Sequence, residues 1–191
     1  MSASPTTHAD STAREIAYVA VFAALIVALT LFPAIEIGIS PVPITLQTFA
    51  VTLTAMLLGP RRGALAVLAY LALIAIGLPV AAGYRGGLGV FAGATGGYLV
   101  SYLPAALLVG WLAGMALRRT RPTPWLILAG VAGMPVIYAI GTGWFMAVTG
   151  MELGPAVAAA ITPFVVVDAI KVALAAIVTA GAVRALPTLR R

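Results

Sequence analysis

The sequence predicts an all-α integral membrane protein with six transmembrane helices, and three observations carry that prediction. The chain of 191 residues is 62% hydrophobic and only 8% charged, too apolar to hide its side chains in one soluble core. Its apolar residues gather into runs near the length of helix that crosses a hydrocarbon layer of about 30 Å. Its basic residues gather in alternate connections, as expected of a protein whose basic flanks are retained in the cytosol. The same composition narrows the chemistry. There is no cysteine, so disulfides and thiolate metal sites are excluded, and the single histidine, His8, lies in a polar stretch outside the apolar runs. Neither a bound metal, a cofactor nor an enzymatic nucleophile with its base is expected.

Residues 1–13, rich in Ser, Thr and Pro and without a basic start, read as a disordered cytosolic tail preceding a membrane domain over 14–186. The candidate spans are Ile16 to Leu31, Leu46 to Leu58, Ala64 to Leu78, Tyr98 to Leu117, Trp125 to Val148 and Pro163 to Val183. The second is short, and Pro41 and Pro43 before it force extended backbone. Residues 187–191 form a basic tail. Arg14, Arg61, Arg62, Arg118, Arg119, Arg121, Arg184, Arg190 and Arg191 flank the spans on one side, which places both termini in the cytosol. Glu36, Arg85 and Glu152 fall on the opposite side. The net charge of +6 therefore reports orientation and contact with anionic membrane lipids; no basic patch carries the aromatic interleaving of a nucleic-acid site.

Two charges stand apart from this pattern. Asp168 and Lys171 lie three residues apart within the last span, on one helical face. With Thr162 as N-cap and Pro163 as first helical residue, they sit roughly 8 Å and roughly 12 Å below the outer end of that helix. Charges at such depth must pair or face a polar cavity, so they form either a structural tie between helices or a ligand site opening outward.

The connection from Gly77 to Gly97 holds eight glycines, more than a simple interhelical loop requires. It permits close backbone approach to a small ligand, or else packs as a re-entrant loop without one. No Gly-Lys-Ser/Thr follows these glycines, which excludes a phosphate loop. Arg85 within it is suited to clamp a carboxylate or to hold lipid phosphate. Thr45 and Gln47 face the same cavity or cap the second helix, and Tyr84, Tyr98 and Trp144 pack on a ligand ring or belong to the interfacial aromatic belt.

Several blocks of sequence together resemble the BioY family, the biotin-specific S components of energy-coupling factor transporters, from about Ala17 to the end of the last helix. They are Val42-Pro43-Ile44-Thr45-Leu46-Gln47-Thr48, Gly59-Pro60-Arg61-Arg62-Gly63, Gly77-Leu78-Pro79-Val80, Arg85-Gly86-Gly87-Leu88-Gly89, Thr95-Gly96-Gly97-Tyr98, and Asp168 with Lys171. Ala94 stands where members often have proline, Val166-Val167 where they often have Pro-Gly, and the chain contains no asparagine, which some members carry in the Gly-rich loop.

The resemblance implies high-affinity capture of biotin. Asp168 would accept the ureido protons, Lys171 would donate to the ureido oxygen and Arg85 would hold the carboxylate, with Tyr84, Gln47, Thr45, Thr95 and Tyr98 completing the site. It also implies partners, a transmembrane coupling protein and two ATP-binding subunits, in a prokaryotic plasma membrane. Ala20, Ala24 and Ala28, small residues four apart on the first helix, would face the coupling protein. A homo-oligomer is compatible with the sequence. The alternative is a stand-alone secondary transporter that uses Asp168 as a proton-coupled carboxylate, although six helices without a visible inverted repeat disfavour it.

Overall fold

A computed structural model describes residues 7–35 and 42–185, with the side chains of α1 described from Thr12 onward. Residues 1–6 of the expected tail, Glu36, Pro41 and the basic stretch 186–191 with Arg190 and Arg191 lie outside the described residues. The described chain forms α1 (Thr7–Thr30), α2 (Gln47–Ala75), α3 (Gly89–Ala92), α4 (Gly96–Ala116), α5 (Pro122–Thr149), α6 (Leu153–Ala160) and α7 (Val165–Ala185). Five of these, α1, α2, α4, α5 and α7, are long and apolar enough to cross a membrane. Among the described residues there is no strand, only isolated pairings of Ile35 with Ile44 and of Ala81 with Arg85.

The second and third expected spans fall within α2, which is not straight. Gly59 interrupts it with φ 76° and ψ −176°, and Pro60 follows, lacking the N–H that would bond back across the break. Gln47 donates to the hydroxyl of Tyr70, 23 residues further on. In one straight helix those residues would stand about 34 Å apart. A Cβ placed on Gly63 would lie 3.0 Å from the Cα of Ala55, a pair that a straight helix would separate by about 12 Å. The chain therefore doubles back at Gly59-Pro60, and its two arms lie side by side with backbones in close approach.

This folded-back pair is the centre of the packing. It contacts α1, α4 and α7, while α5 packs on α4 and α7. Ala23, Ile26 and Thr30 of α1 are buried, and Arg62, just past the turn, forms an ion pair with Glu15 and lies 5.7 Å from the centroid of the Tyr18 ring. The opposite face of α1, with Ala20, Ala24 and Ala28, is exposed.

Three boundaries differ from expectation. Helix α1 begins at Thr7, inside the stretch read as disordered, because no Pro or Gly follows Pro5 to stop it. A short helix, α6, precedes the last span. Helix α7 starts at Val165, since the backbone breaks at Ile161 (φ −123°, ψ −56°) and Phe164 bonds back only three residues, to the Ile161 carbonyl. Thr162 does not cap α7; its hydroxyl donates to the Val157 carbonyl at 3.2 Å. Asp168 and Lys171 are thus only about 4.5 Å and about 9 Å along α7.

Candidate functional site

The start of α2, the loop between Gly77 and Gly96, and the adjoining turns of α4, α5 and α7 enclose a cleft with about 680 Å³ of empty space, its open mouth included. One polar cluster in its wall is built around Asp168. That residue and Lys171 are 6% and 7% exposed, so each charge has lost nearly all of its water and is held by its partners. Lys171 Nζ donates to Asp168 Oδ1 at 2.8 Å, one turn along the same helix. Tyr138, reaching across from α5, donates its hydroxyl to Asp168 Oδ2, also at 2.8 Å.

A second polar cluster stands beside the first. Tyr102 donates to Gln47 Oε1 at 3.3 Å while the amide nitrogen of Gln47 donates to Tyr70, so both ends of the Gln47 side chain are engaged. The Tyr70 hydroxyl in turn reaches the Val80 carbonyl at 3.4 Å, joining this cluster to the loop after α2. Tyr98 is held by Thr142 and the Ala160 carbonyl, each at 3.1 Å. The Thr45 hydroxyl accepts from the Gln47 N–H at 3.3 Å just ahead of α2, whose N-cap is Leu46, and Thr45 also lines the cleft. Thr95 precedes α4 without a side-chain capping bond and lines the cleft as well.

The rim is set by the loop. Ala81 N–H bonds to the Arg85 carbonyl at 2.9 Å, closing a tight turn in which Gly83 and Tyr84 both take positive φ, 71° and 56°. For a tyrosine this left-handed conformation is uncommon. It sends neighbouring side chains to opposite sides. Arg85 lines the cleft, with its Nε donating to the Ala82 carbonyl at 3.1 Å and no carboxylate in ion-pair contact among the described residues. Tyr84 faces away, 67% exposed, and donates to the Leu31 carbonyl. Seven of the eight residues expected at the site, Asp168, Lys171, Arg85, Gln47, Thr45, Thr95 and Tyr98, therefore line one cleft, and Tyr84 does not. Trp144 also lies outside, its indole donating to the Gly93 carbonyl. Tyr138 and Tyr102 line the cleft without having been singled out in the sequence.

Long apolar helices around a cleft lined by a dehydrated ion pair and an arginine fit a polytopic membrane protein of the transporter class. The chain belongs to the BioY family, whose model matches residues 2–188. It is 43% identical to the biotin transporter BioY of Rhodobacter capsulatus over 177 residues, 86% of this chain and 90% of that one. The biotin transporter BioY of Thermotoga maritima is 38% identical, over 86% of this chain and 93% of its own. A crystal structure of the S-component for biotin from an ECF-type ABC transporter superposes with a TM-score of 0.83 at 30% identity, covering 91% of this chain and 92% of that one.

Proposed function

We propose that this chain captures biotin at the outer face of a prokaryotic plasma membrane, as the S component of an energy-coupling factor transporter. The observation that carries the reading is the arrangement of Asp168, Lys171 and Arg85 about one cleft, an acceptor and a donor at depth and a second cation at the mouth. Biotin has the complementary order: a ureido ring with two N–H donors and one carbonyl, an apolar bicycle, and a carboxylate on a flexible chain. Asp168 accepts the ureido protons, Lys171 divides its three donors between Asp168 and the ureido oxygen, and Arg85 holds the carboxylate through its terminal nitrogens. Gln47, Thr45, Thr95 and Tyr98 shape the walls. In so dry a site an unmade hydrogen bond costs about 1 to 3 kcal/mol, which discriminates against vitamins of other shape.

The same reading assigns six membrane crossings, with the arms of α2 on either side of Gly59 counted separately, and places both termini and the turns at Arg61-Arg62 and Arg118–Arg121 in the cytosol. The doubling back at Gly59 and the positions of the arginines support it. Arg119 stacks 4.6 Å from the centroid of the half-exposed Trp125 ring, an arrangement suited to the lipid headgroup region. Uptake requires a transmembrane coupling protein and two ATP-binding subunits, and the exposed face of α1 with Ala20, Ala24 and Ala28 admits close approach of a partner helix.

Titration of the purified protein with biotin and with other water-soluble vitamins tests this directly. Saturable binding of biotin alone is expected. Preference for another vitamin would overturn the substrate assignment.

A further inference from the structure

We infer that Tyr138 is a positioning residue for ligand capture: its hydroxyl fixes the Asp168 carboxylate in the orientation that presents its remaining lone pairs to the cleft. The inference rests on the reading of Asp168 as the acceptor for the ligand's N–H groups. An ionised carboxylate offers about four acceptor sites. Two are occupied here, one on each oxygen, by Lys171 at Oδ1 and Tyr138 at Oδ2, both at 2.8 Å. The two donors differ in what they can fix. Lys171 belongs to the same helix as Asp168 and hangs on a flexible stem, so it neutralises the carboxylate but leaves its plane free to turn. Tyr138 comes from α5 on a rigid ring and holds the other oxygen, which fixes the plane and joins α5 to α7.

The distinction sharpens when ligand enters. Lys171 has three donors and turns one or more toward the ligand carbonyl, weakening its hold on Oδ1. The phenol has a single proton, already committed to Oδ2. Tyr138 then holds the carboxylate steady while its free lone pairs accept a pair of parallel N–H groups. Preorganisation of this kind raises affinity because the acceptor does not have to be ordered at the moment of binding.

Tyr138→Phe removes one oxygen and leaves the ring. Two measurements read its effect, and the first needs no ligand. In ligand-free protein, the infrared carboxylate stretch of Asp168, identified as the band lost in Asp168→Asn, should shift in Tyr138→Phe. Biotin affinity should fall about tenfold in Tyr138→Phe, yet by less than about twofold when the same change is made in Asp168→Asn, where the carboxylate it orients is gone. An unshifted band would overturn the inference, as would an equal loss in both backgrounds, which would assign Tyr138 to direct ligand contact or to general packing. If affinity in Asp168→Asn is too weak to measure, the band decides alone. A wild-type protein that fails to bind biotin would instead refute the functional reading, and the band would still report on Tyr138.

Discussion

Gln47 and Tyr70 are hydrogen-bonded although 23 residues separate them, on the two arms of α2 either side of Gly59. The contact exists because the chain reverses at Gly59-Pro60, which sets Gln47, a residue of the cleft wall, beside Tyr70. From there Tyr102 and the Val80 carbonyl extend the same network into α4 and the loop after α2.

The reversal depends on Gly63, whose missing Cβ lets the two arms touch at Ala55. Gly63→Leu should force the arms apart at a cost of about 1 to 3 kcal/mol, read as a lowered melting temperature of the purified protein. Since Gly63 lies near the turn, at the far end of the arms from Gln47, the folded fraction should still bind biotin. Unchanged thermal stability would contradict this packing.

Orientation is open to test because the chain has no native cysteine. Thr120→Cys, in the turn between α4 and α5, should be shielded from an impermeant thiol reagent in intact cells. Leu88→Cys, in the outer loop where Leu88 is 72% exposed, should be labelled. The reverse pattern would invert the proposed topology.

Arg85 should act on the acid end of the ligand alone. Wild type is expected to prefer biotin to its neutral amide, and Arg85→Ala should erase most of that preference while retaining affinity for the ring. Equal discrimination by mutant and wild type would assign Arg85 to the loop or to lipid.

Docking and capture should separate on α1. Ala20 and Ala24 are exposed, whereas Ala23 and Ile26 face the core, so a bulky residue at either exposed position leaves the internal packing alone. Ala20→Trp or Ala24→Trp should keep the melting temperature and biotin binding near wild type, yet fail to copurify with the coupling protein and lose ATP-driven uptake. Stable variants that still transport would place the docking face elsewhere.

Much of the cleft lining was legible in the sequence for one physical reason: a charge inside an apolar span has few alternatives to a partner or a cavity, so Asp168 and Lys171 announce themselves. The reversal falls between the expected spans Leu46 to Leu58 and Ala64 to Leu78, and the fold gives its cause in a glycine with positive φ and a proline that cannot continue a hydrogen-bond ladder. Tyrosines gave no such signal. Tyr138 and Tyr102 read as ordinary aromatic residues of apolar helices, because only the fold reveals what a hydroxyl reaches across a helix interface. Tyr84 misled in the opposite sense. Its orientation follows from two successive left-handed residues, a conformation that a tyrosine side chain does not advertise. The eight-residue α6 was invisible because it is too short to read as a span, and missing it shifted the start of α7.

The central claim, that biotin is captured at the buried acceptor of this cleft, is tested most directly by titrating wild type and Asp168→Asn with biotin under identical conditions. The substitution keeps the shape and replaces an acceptor-only group with one that also presents donors to the ureido N–H groups. The protein should insert and remain monodisperse, while biotin affinity falls at least about tenfold, or about 1.4 kcal/mol. Unchanged affinity in a folded Asp168→Asn, or loss of the fold with wild-type affinity in whatever remains folded, would reduce the Asp168–Lys171 pair to a structural tie and contradict the account.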